Sequence, residues 1–135
     1  MKLEEHEAQV SLMEWWKLYS RTHKIDERLL FAIPNGGLRH VKTAAALKAE
    51  GVRAGVPDLF LALPIQRSHG VFIEMKKEKG GVVRESQIQM LELLRAEGFT
   101  AVVCYGFQDA AAFIERRVKR YLDEKDEEKR REYDL

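Results

Sequence analysis

The chain has 135 residues, of which 45% are hydrophobic and 33% are charged, a composition typical of one globular domain with a single core. Its 23 basic and 22 acidic residues give a net charge of +1, so only a local basic patch could indicate a nucleic-acid partner. Cys104 is the only cysteine, which excludes a disulfide scaffold and a cysteine-based zinc site. No apolar run reaches the roughly 20 residues that span a bilayer, and the polar N-terminus does not resemble a signal peptide. We therefore expect a cytoplasmic protein without a membrane partner.

The first predicted element is a helix over residues 4–23. At about 100° per residue, one stripe of this helix faces the core, and its apolar members are Leu12, Met13, Trp16 and Tyr19. Glu5 and Gln9 lie on the same stripe, whereas Glu7 faces solvent. A carboxylate on the core-facing side is costly unless it is paired or bound to a metal. The alternative is a frayed first turn, where the helix dipole favours an acidic side chain.

Trp15 lies away from this stripe, beside Trp16 in the sequence. Two adjacent indoles from one helix are not expected to enter the same small core. Because aromatic residues are enriched at protein interfaces, we expect a homodimer with the first helix at or near its interface.

The remaining elements are predicted from apolar runs and turn residues. In chain order they are strand 29–33, helix 43–50, strand 58–63, strand 71–76, helix 84–98, strand 100–105 and a helix from 108 to about 122. Strands joined both by turns and by helices predict an α/β fold with a mixed central sheet flanked by helices. Beyond Leu122 the chain is mostly charged, so we predict a domain over residues 1–122 and a charged C-terminal tail over 123–135.

Three charged residues interrupt the predicted apolar strands. Glu74 and Lys76 alternate along one strand and therefore share a face, and Asp58 opens the neighbouring strand directly after Pro57. Two carboxylates at this position could bind one hard divalent cation, and a nearby lysine could orient water or stabilise developing phosphoryl charge. An ordinary ion pair across a sheet edge is the simpler interpretation of the E-x-K pattern alone.

The ordered series of motifs around these residues resembles the VRR-NUC domain of the PD-(D/E)XK nuclease superfamily. The matching stretches are EHEAQ at 5–9, AIPNGGLR at 32–39, LKAEGVRAGVPD at 47–58, GVPDLFL at 55–61, IEMK at 73–76 and VVRESQ at 82–87. The chain resembles the small stand-alone form of phages and bacteria. It departs from the motif that names the family, because residues 82–84 contain one arginine instead of two.

The resemblance implies a restriction-endonuclease-like core and a set of site residues. Asp58 and Glu74 match the metal-binding carboxylates, and the backbone carbonyl of Met75 matches a further ligand of Mg²⁺ or Mn²⁺. Lys76 matches the catalytic lysine, and Glu5 matches the acidic residue of the first helix, which reaches the metal directly or through water. Gln87 matches a glutamine that would orient Lys76 or contact a phosphate; a helix-capping or surface amide is the alternative.

The best local basic patch lies between Leu38 and Ala54, where four basic residues stand against Glu50 alone. Lysine and arginine contacts to phosphate supply most non-specific DNA affinity, although solvated surface charge is the alternative interpretation. The predicted nucleic-acid-binding residues are Asn35, Arg39, Lys42, Arg53 and Arg84.

These expectations describe a metal-dependent DNA endonuclease with activity like that of Holliday-junction resolvases, acting on branched DNA as a homodimer in a bacterial or phage-infected cell. No small-molecule cofactor is expected. The first alternative is a DNA-binding module that keeps the fold with weak or no catalysis, which intact Asp58, Glu74 and Lys76 disfavour. The second is a zinc-dependent RNA or deaminase-type enzyme, which the lack of cysteine and paired histidine ligands disfavours.

Overall fold

The computed structural model describes residues 3–34 and 41–134, without the side chains of residues 3 and 41–43. Its elements in chain order are α1 (Leu3–Thr22), a 3-10 turn (Glu27–Leu29), β1 (Leu30–Ala32), α2 (Val41–Ala49), β2 (Leu59–Leu61), β3 (Val71–Lys76), α3 (Glu85–Ala96), β4 (Thr100–Tyr105) and α4 (Phe107–Tyr133). The predicted bounds of β3 and β4 are confirmed, whereas β1 and β2 are shorter than predicted.

The four strands form one mixed sheet in the order β1-β2-β3-β4. The pairs β1–β2 and β2–β3 are antiparallel, and β3–β4 is parallel. Helix α3 makes the connection that a parallel pair requires. The predicted α/β architecture, a mixed sheet flanked by helices, is therefore confirmed.

The main core lies between one face of the sheet and helices α1 and α4. Alternate strand residues point into it, among them Leu59, Ile73 and Met75, and each is fully buried. The predicted stripe of α1 faces this core, since Leu12 and Trp16 are at most 1% exposed. The opposite sheet face carries Glu74 and Lys76, by the alternation of side chains along β3.

The environment of Trp15 differs from the one we expected. Its ring stacks on Tyr19 at a centroid distance of 4.6 Å and meets Phe107 of α4 edge-on at 6.3 Å. Both indoles are accommodated because Trp16 enters the core while Trp15 is partly buried at the contact between α1 and α4. The argument for a dimer from an unpartnered Trp15 is therefore wrong.

Helix α4 continues eleven residues beyond the predicted end at Leu122 and ends at Tyr133. Charged side chains at helical spacing support the extension: Arg120 contacts Glu124 at 3.1 Å and Arg131 contacts Glu127 at 3.7 Å. The polar composition predicts a solvated charged tail, but opposite charges one turn apart favour a solvated helix. The domain boundary at residue 122 stays a prediction. Within residues 3–34 and 41–134, no helix has the length and apolar character needed to cross a membrane.

Candidate active site

Asp58 lies immediately before β2, level with Glu74 of β3. Leu59 is opposite Ile73 in the antiparallel register, so continuing that register by one residue sets Asp58 level with Glu74. The Asp58 carboxylate Oδ2 accepts a hydrogen bond from the backbone N–H of Met75 at 2.8 Å, and its carbonyl accepts one from the N–H of Ile33 at 2.7 Å. Main-chain contacts on both sides therefore hold Asp58 beside β3.

Glu74 and Lys76 form a nearly dry ion pair. Their residues are 4% and 6% exposed, and Lys76 Nζ lies 3.4 Å from Glu74 Oε2. Burial and then the charge of Asp58 raise the pKa of Glu74 to about 8, while Lys76 opposes the shift. Burial likewise raises the pKa of Asp58, against the lowering effect of the Met75 N–H bond. Two buried acids beside one lysine leave a surplus of negative charge when both are ionised.

Gln87 joins helix α3 to this pair. The backbone N–H of Arg84 donates to Gln87 Oε1 at 2.9 Å, which directs Nε2 towards Glu74 Oε2 at 3.0 Å. The amide thus contacts Glu74, where the sequence led us to expect a contact with Lys76 or a phosphate. Its position at the first turn of α3 makes it both part of the helix N-terminus and a support for the carboxylate.

Helix α1 brings Glu5 towards the site from the other layer of the fold. Glu5 is partly buried while Glu7 is exposed, as the helical wheel predicted. The negative charge of Glu5 adds to the rise in the pKa of Asp58 that burial causes. One turn along the helix, Gln9 Oε1 is buried without a hydrogen-bond partner in the described part of the chain. Gln9 was placed on the same stripe, but no role for it was predicted.

The donor set fits a hard cation held by few protein ligands. In the described ranges, no three histidine, cysteine, aspartate or glutamate side chains are grouped so that they could hold a metal ion. Glu5 therefore does not form a three-ligand cluster with Asp58 and Glu74. Magnesium, however, is commonly bound by one or two carboxylates together with waters and substrate phosphate, and a cation would compensate the buried negative charge of this pair.

The predicted basic patch is only partly described. Asn35 and Arg39 lie outside the described residues, as does the side chain of Lys42, whose backbone begins α2. Arg53 and Arg84 are both exposed.

A glycine brings the loop that carries Arg53 against the start of α3. Gly55 has φ +85°, and a Cβ added to it would lie 2.3 Å from the backbone oxygen of Ser86. Only glycine permits this approach. The contact places the loop before Asp58 beside the helix that follows Arg84, a proximity that the sequence pattern did not predict.

Comparisons with known proteins agree with this geometry. The family model described as the VRR-NUC domain matches residues 2–108. A solved structure named as a VRR_NUC domain protein is similar with a TM-score of 0.73 and 29% sequence identity, over 89% of this chain and 92% of that chain. No curated protein matches. The expected α/β nuclease-like fold is therefore confirmed, and the chain belongs to the VRR-NUC family of nuclease-type domains.

Proposed function

We propose that this protein is a metal-dependent DNA endonuclease that hydrolyses phosphodiester bonds. The observation that supports the proposal best is the pair of desolvated carboxylates, Asp58 and Glu74, with Lys76 Nζ 3.4 Å from Glu74 Oε2. Burying such groups opposes folding unless they gain a partner. Retaining them at one end of a sheet is typical of a site that binds a cation and a phosphate.

Each residue has a role that follows from its position. Asp58, Glu74 and the Met75 carbonyl would hold Mg²⁺ or Mn²⁺, with Glu5 contributing through a bound water because it does not group with the two carboxylates. When bound, the cation supplies positive charge to the scissile phosphate and to the attacking water. Lys76 directs its ammonium group at that phosphate and stabilises the charge that develops on its oxygens.

Two residues position this machinery. Gln87 fixes the orientation of Glu74 by its 3.0 Å hydrogen bond. The Met75 N–H does the same for Asp58 at 2.8 Å. Preorganised ligands lower the cost of assembling the site around substrate.

We further propose that the substrate is branched DNA, cut in the manner of a Holliday-junction resolvase. The active form would be a homodimer of the stand-alone type, in a bacterial or phage-infected cytoplasm. A two-fold dimer suits a substrate with two equivalent strands to cut. A groove of about 480 Å³ between α1 and α4 is available for a second copy: its lining includes the apolar Leu122 together with Glu115 and Lys119, which have opposite charge. Light scattering at micromolar concentration should give twice the subunit mass of 15.6 kDa; a monomer mass contradicts this part.

The decisive experiment separates the nuclease from a DNA-binding module of the same fold. Purified protein is incubated with four-way junctions, flaps, single strands and duplex in magnesium, manganese or EDTA. We expect metal-dependent cleavage that Asp58→Ala and Glu74→Ala each abolish, while Asp126→Ala, a change on the exposed part of α4, leaves it intact. Circular dichroism verifies that the variants fold. Undiminished single-turnover cutting by either site variant contradicts the assignment.

A further inference from the structure

Four phenylalanines form a row across the sheet face that carries Glu74. Their ring centroids are separated by 5.7 Å from Phe31 to Phe60, 4.5 Å from Phe60 to Phe72 and 5.2 Å from Phe72 to Phe99. The strand register explains the alignment, because Phe31 is paired with Phe60 and Phe60 with Phe72. We call these four residues the phenylalanine row.

The row is accessible to solvent, unlike the opposite face of the same strands. Leu59, Leu61 and Ile73 point the other way and are all 0% exposed. Phe60, Phe72 and Phe99 are half-buried, and Phe31 is 45% exposed. Helix α3 packs over β4, beside the Phe72 and Phe99 end. The Phe31 end lies on β1 at the edge of the sheet.

The row lies beside the candidate active site. Phe72 and Glu74 are two residues apart on one face of β3, a separation of about 6.6 Å along a strand. Phe60 is opposite Phe72, on the strand that Asp58 precedes. A phosphate held at Asp58 and Glu74 would therefore lie about as far from the phenylalanine row as a phosphate lies from the base of its own nucleotide.

We propose that the phenylalanine row is a stacking platform for an unpaired nucleobase next to the scissile phosphate. The inference rests on the proposed function and deepens it by assigning the substrate class. Aromatic rings stack with any base, because every base has a π face. In a continuous duplex both faces of each base are already covered, and extracting a base has an energetic cost that is smallest where it is unpaired. The platform therefore selects, among branched DNAs, those in which a nucleotide at the cut is unpaired or becomes unpaired at the branch point.

A second copy of the chain is a poorer occupant for this surface. A stable interface buries roughly 800 Å² on each partner. A fully exposed aromatic side chain contributes at most about 250 Å², and Phe60, Phe72 and Phe99 are half-buried, so the row offers much less than four times that area. The row has the size of one or two bases instead.

Binding measured without cleavage tests the platform. Asp58→Asn protein in EDTA is titrated with fluorescent DNA that contains one unpaired nucleotide. A series of DNAs places this nucleotide at successive positions along the strand, and each DNA is compared with a copy in which the nucleotide is an abasic site. We expect one position where loss of the base weakens binding about tenfold, the scale of one base–aromatic stack. Adding Phe31→Leu should cause a similar loss with intact DNA and make the abasic substitution at that position silent.

Two matched variants complete the design. Phe31→Trp keeps an aromatic face and should retain the effect of the abasic site. Leu18→Ala removes a 68% exposed apolar side chain from α1, in the other layer of the fold, and should change nothing. Phe60→Leu repeats the test on the second ring, with circular dichroism to verify folding.

The outcomes separate the platform from the nuclease proposal. Metal-dependent cleavage without any position-specific abasic effect overturns the platform alone. A different result is a protein that cuts no DNA but shows an abasic effect that Phe31→Leu and Phe60→Leu each remove. That result supports the platform and overturns the nuclease proposal. A wild-type protein that binds no DNA, or a dimer that Phe31→Leu dissociates, overturns the platform as well.

Discussion

Gln87 donates a hydrogen bond to the same carboxylate oxygen of Glu74 that Lys76 approaches. The distances are 3.0 Å from Gln87 Nε2 and 3.4 Å from Lys76 Nζ to Glu74 Oε2. The first turn of α3 and the end of β3 therefore fix one side chain together. A carboxylate constrained by two elements loses little further freedom when substrate binds, which favours catalysis.

Removing the Gln87 amide should slow cleavage without abolishing it. Gln87→Leu deprives Glu74 of a hydrogen bond to a charged group, an interaction of about 1.5–3 kcal/mol, so we expect the single-turnover rate to fall by roughly 10–100-fold. The matched control is Gln89→Leu, because the Gln89 amide donates to the exposed Glu85 at 3.3 Å. Equal rates for the two variants contradict a positioning role for Gln87.

Lys76 should affect chemistry more than metal affinity. Lys76→Ala removes a positive charge that competes with a cation for Glu74 and Asp58, so calorimetry should show unchanged or tighter metal binding. The chemical step should slow by about 10² or more. Lys79→Ala, in the exposed turn after β3, controls for loss of charge. Lost metal affinity with normal turnover would reverse the role assigned to Lys76.

The raised pKa of Glu74 predicts how stability varies with pH. In the folded protein this pKa is about 8, against an ordinary value of 4.5. Between these values the folded state binds more protons than the unfolded state, so in EDTA the melting temperature should fall as pH rises from about 5 to 8. Glu74→Gln should flatten this dependence, whereas Glu128→Gln on the exposed end of α4 should not.

Magnesium should oppose that loss of stability. Metal ligands must be deprotonated to bind, so added Mg²⁺ should raise the melting temperature more at pH 8 than at pH 6. A uniform increase across pH would indicate binding away from Asp58 and Glu74.

Arg117 offers a test of how a buried cation is accommodated. It is 6% exposed, and its Nη2 donates to the hydroxyl oxygens of Ser68 and Thr100 at 2.7 Å each. Burial lowers its pKa. Because the two hydroxyls also contact each other at 2.7 Å, Arg117→Met should leave them bonded and change the free energy of unfolding by less than about 1.5 kcal/mol.

Truncation at the same position should cost more. Arg117→Ala leaves a cavity and should destabilise by about 2–4 kcal/mol in urea unfolding. Arg116→Ala, which removes an exposed guanidinium 5.7 Å from the Phe113 ring, should cost under about 1 kcal/mol. Equal effects of Met and Ala at Arg117 would show that its charge, and not its volume, is what the fold requires.

Local sequence patterns were sufficient to predict the strands, with β1 and β2 too long, and part of the site. Apolar runs between turn residues predicted β3 and β4. The two-residue period of a strand put Glu74 and Lys76 on one face, because that period depends on the backbone alone. The helical period of α1 likewise separated Glu5 from Glu7. The place of Asp58 at the start of the neighbouring strand indicated that it could lie near these residues, and its hydrogen bond from the Met75 N–H holds it there.

Only the tertiary structure decided which groups meet across elements. The contact of Gln87 with Glu74 depends on how α3 returns over the sheet, and the raised pKa of Glu74 depends on water being excluded by several elements at once. The environment of Trp15 was predicted wrongly, because a helical wheel shows the direction of a side chain but not which neighbouring helix packs against it. The phenylalanine row appeared only once the strand order and register set Phe31, Phe60 and Phe72 side by side. Sequence determines such long-range contacts only through the packing of the whole chain, and no short segment contains that information.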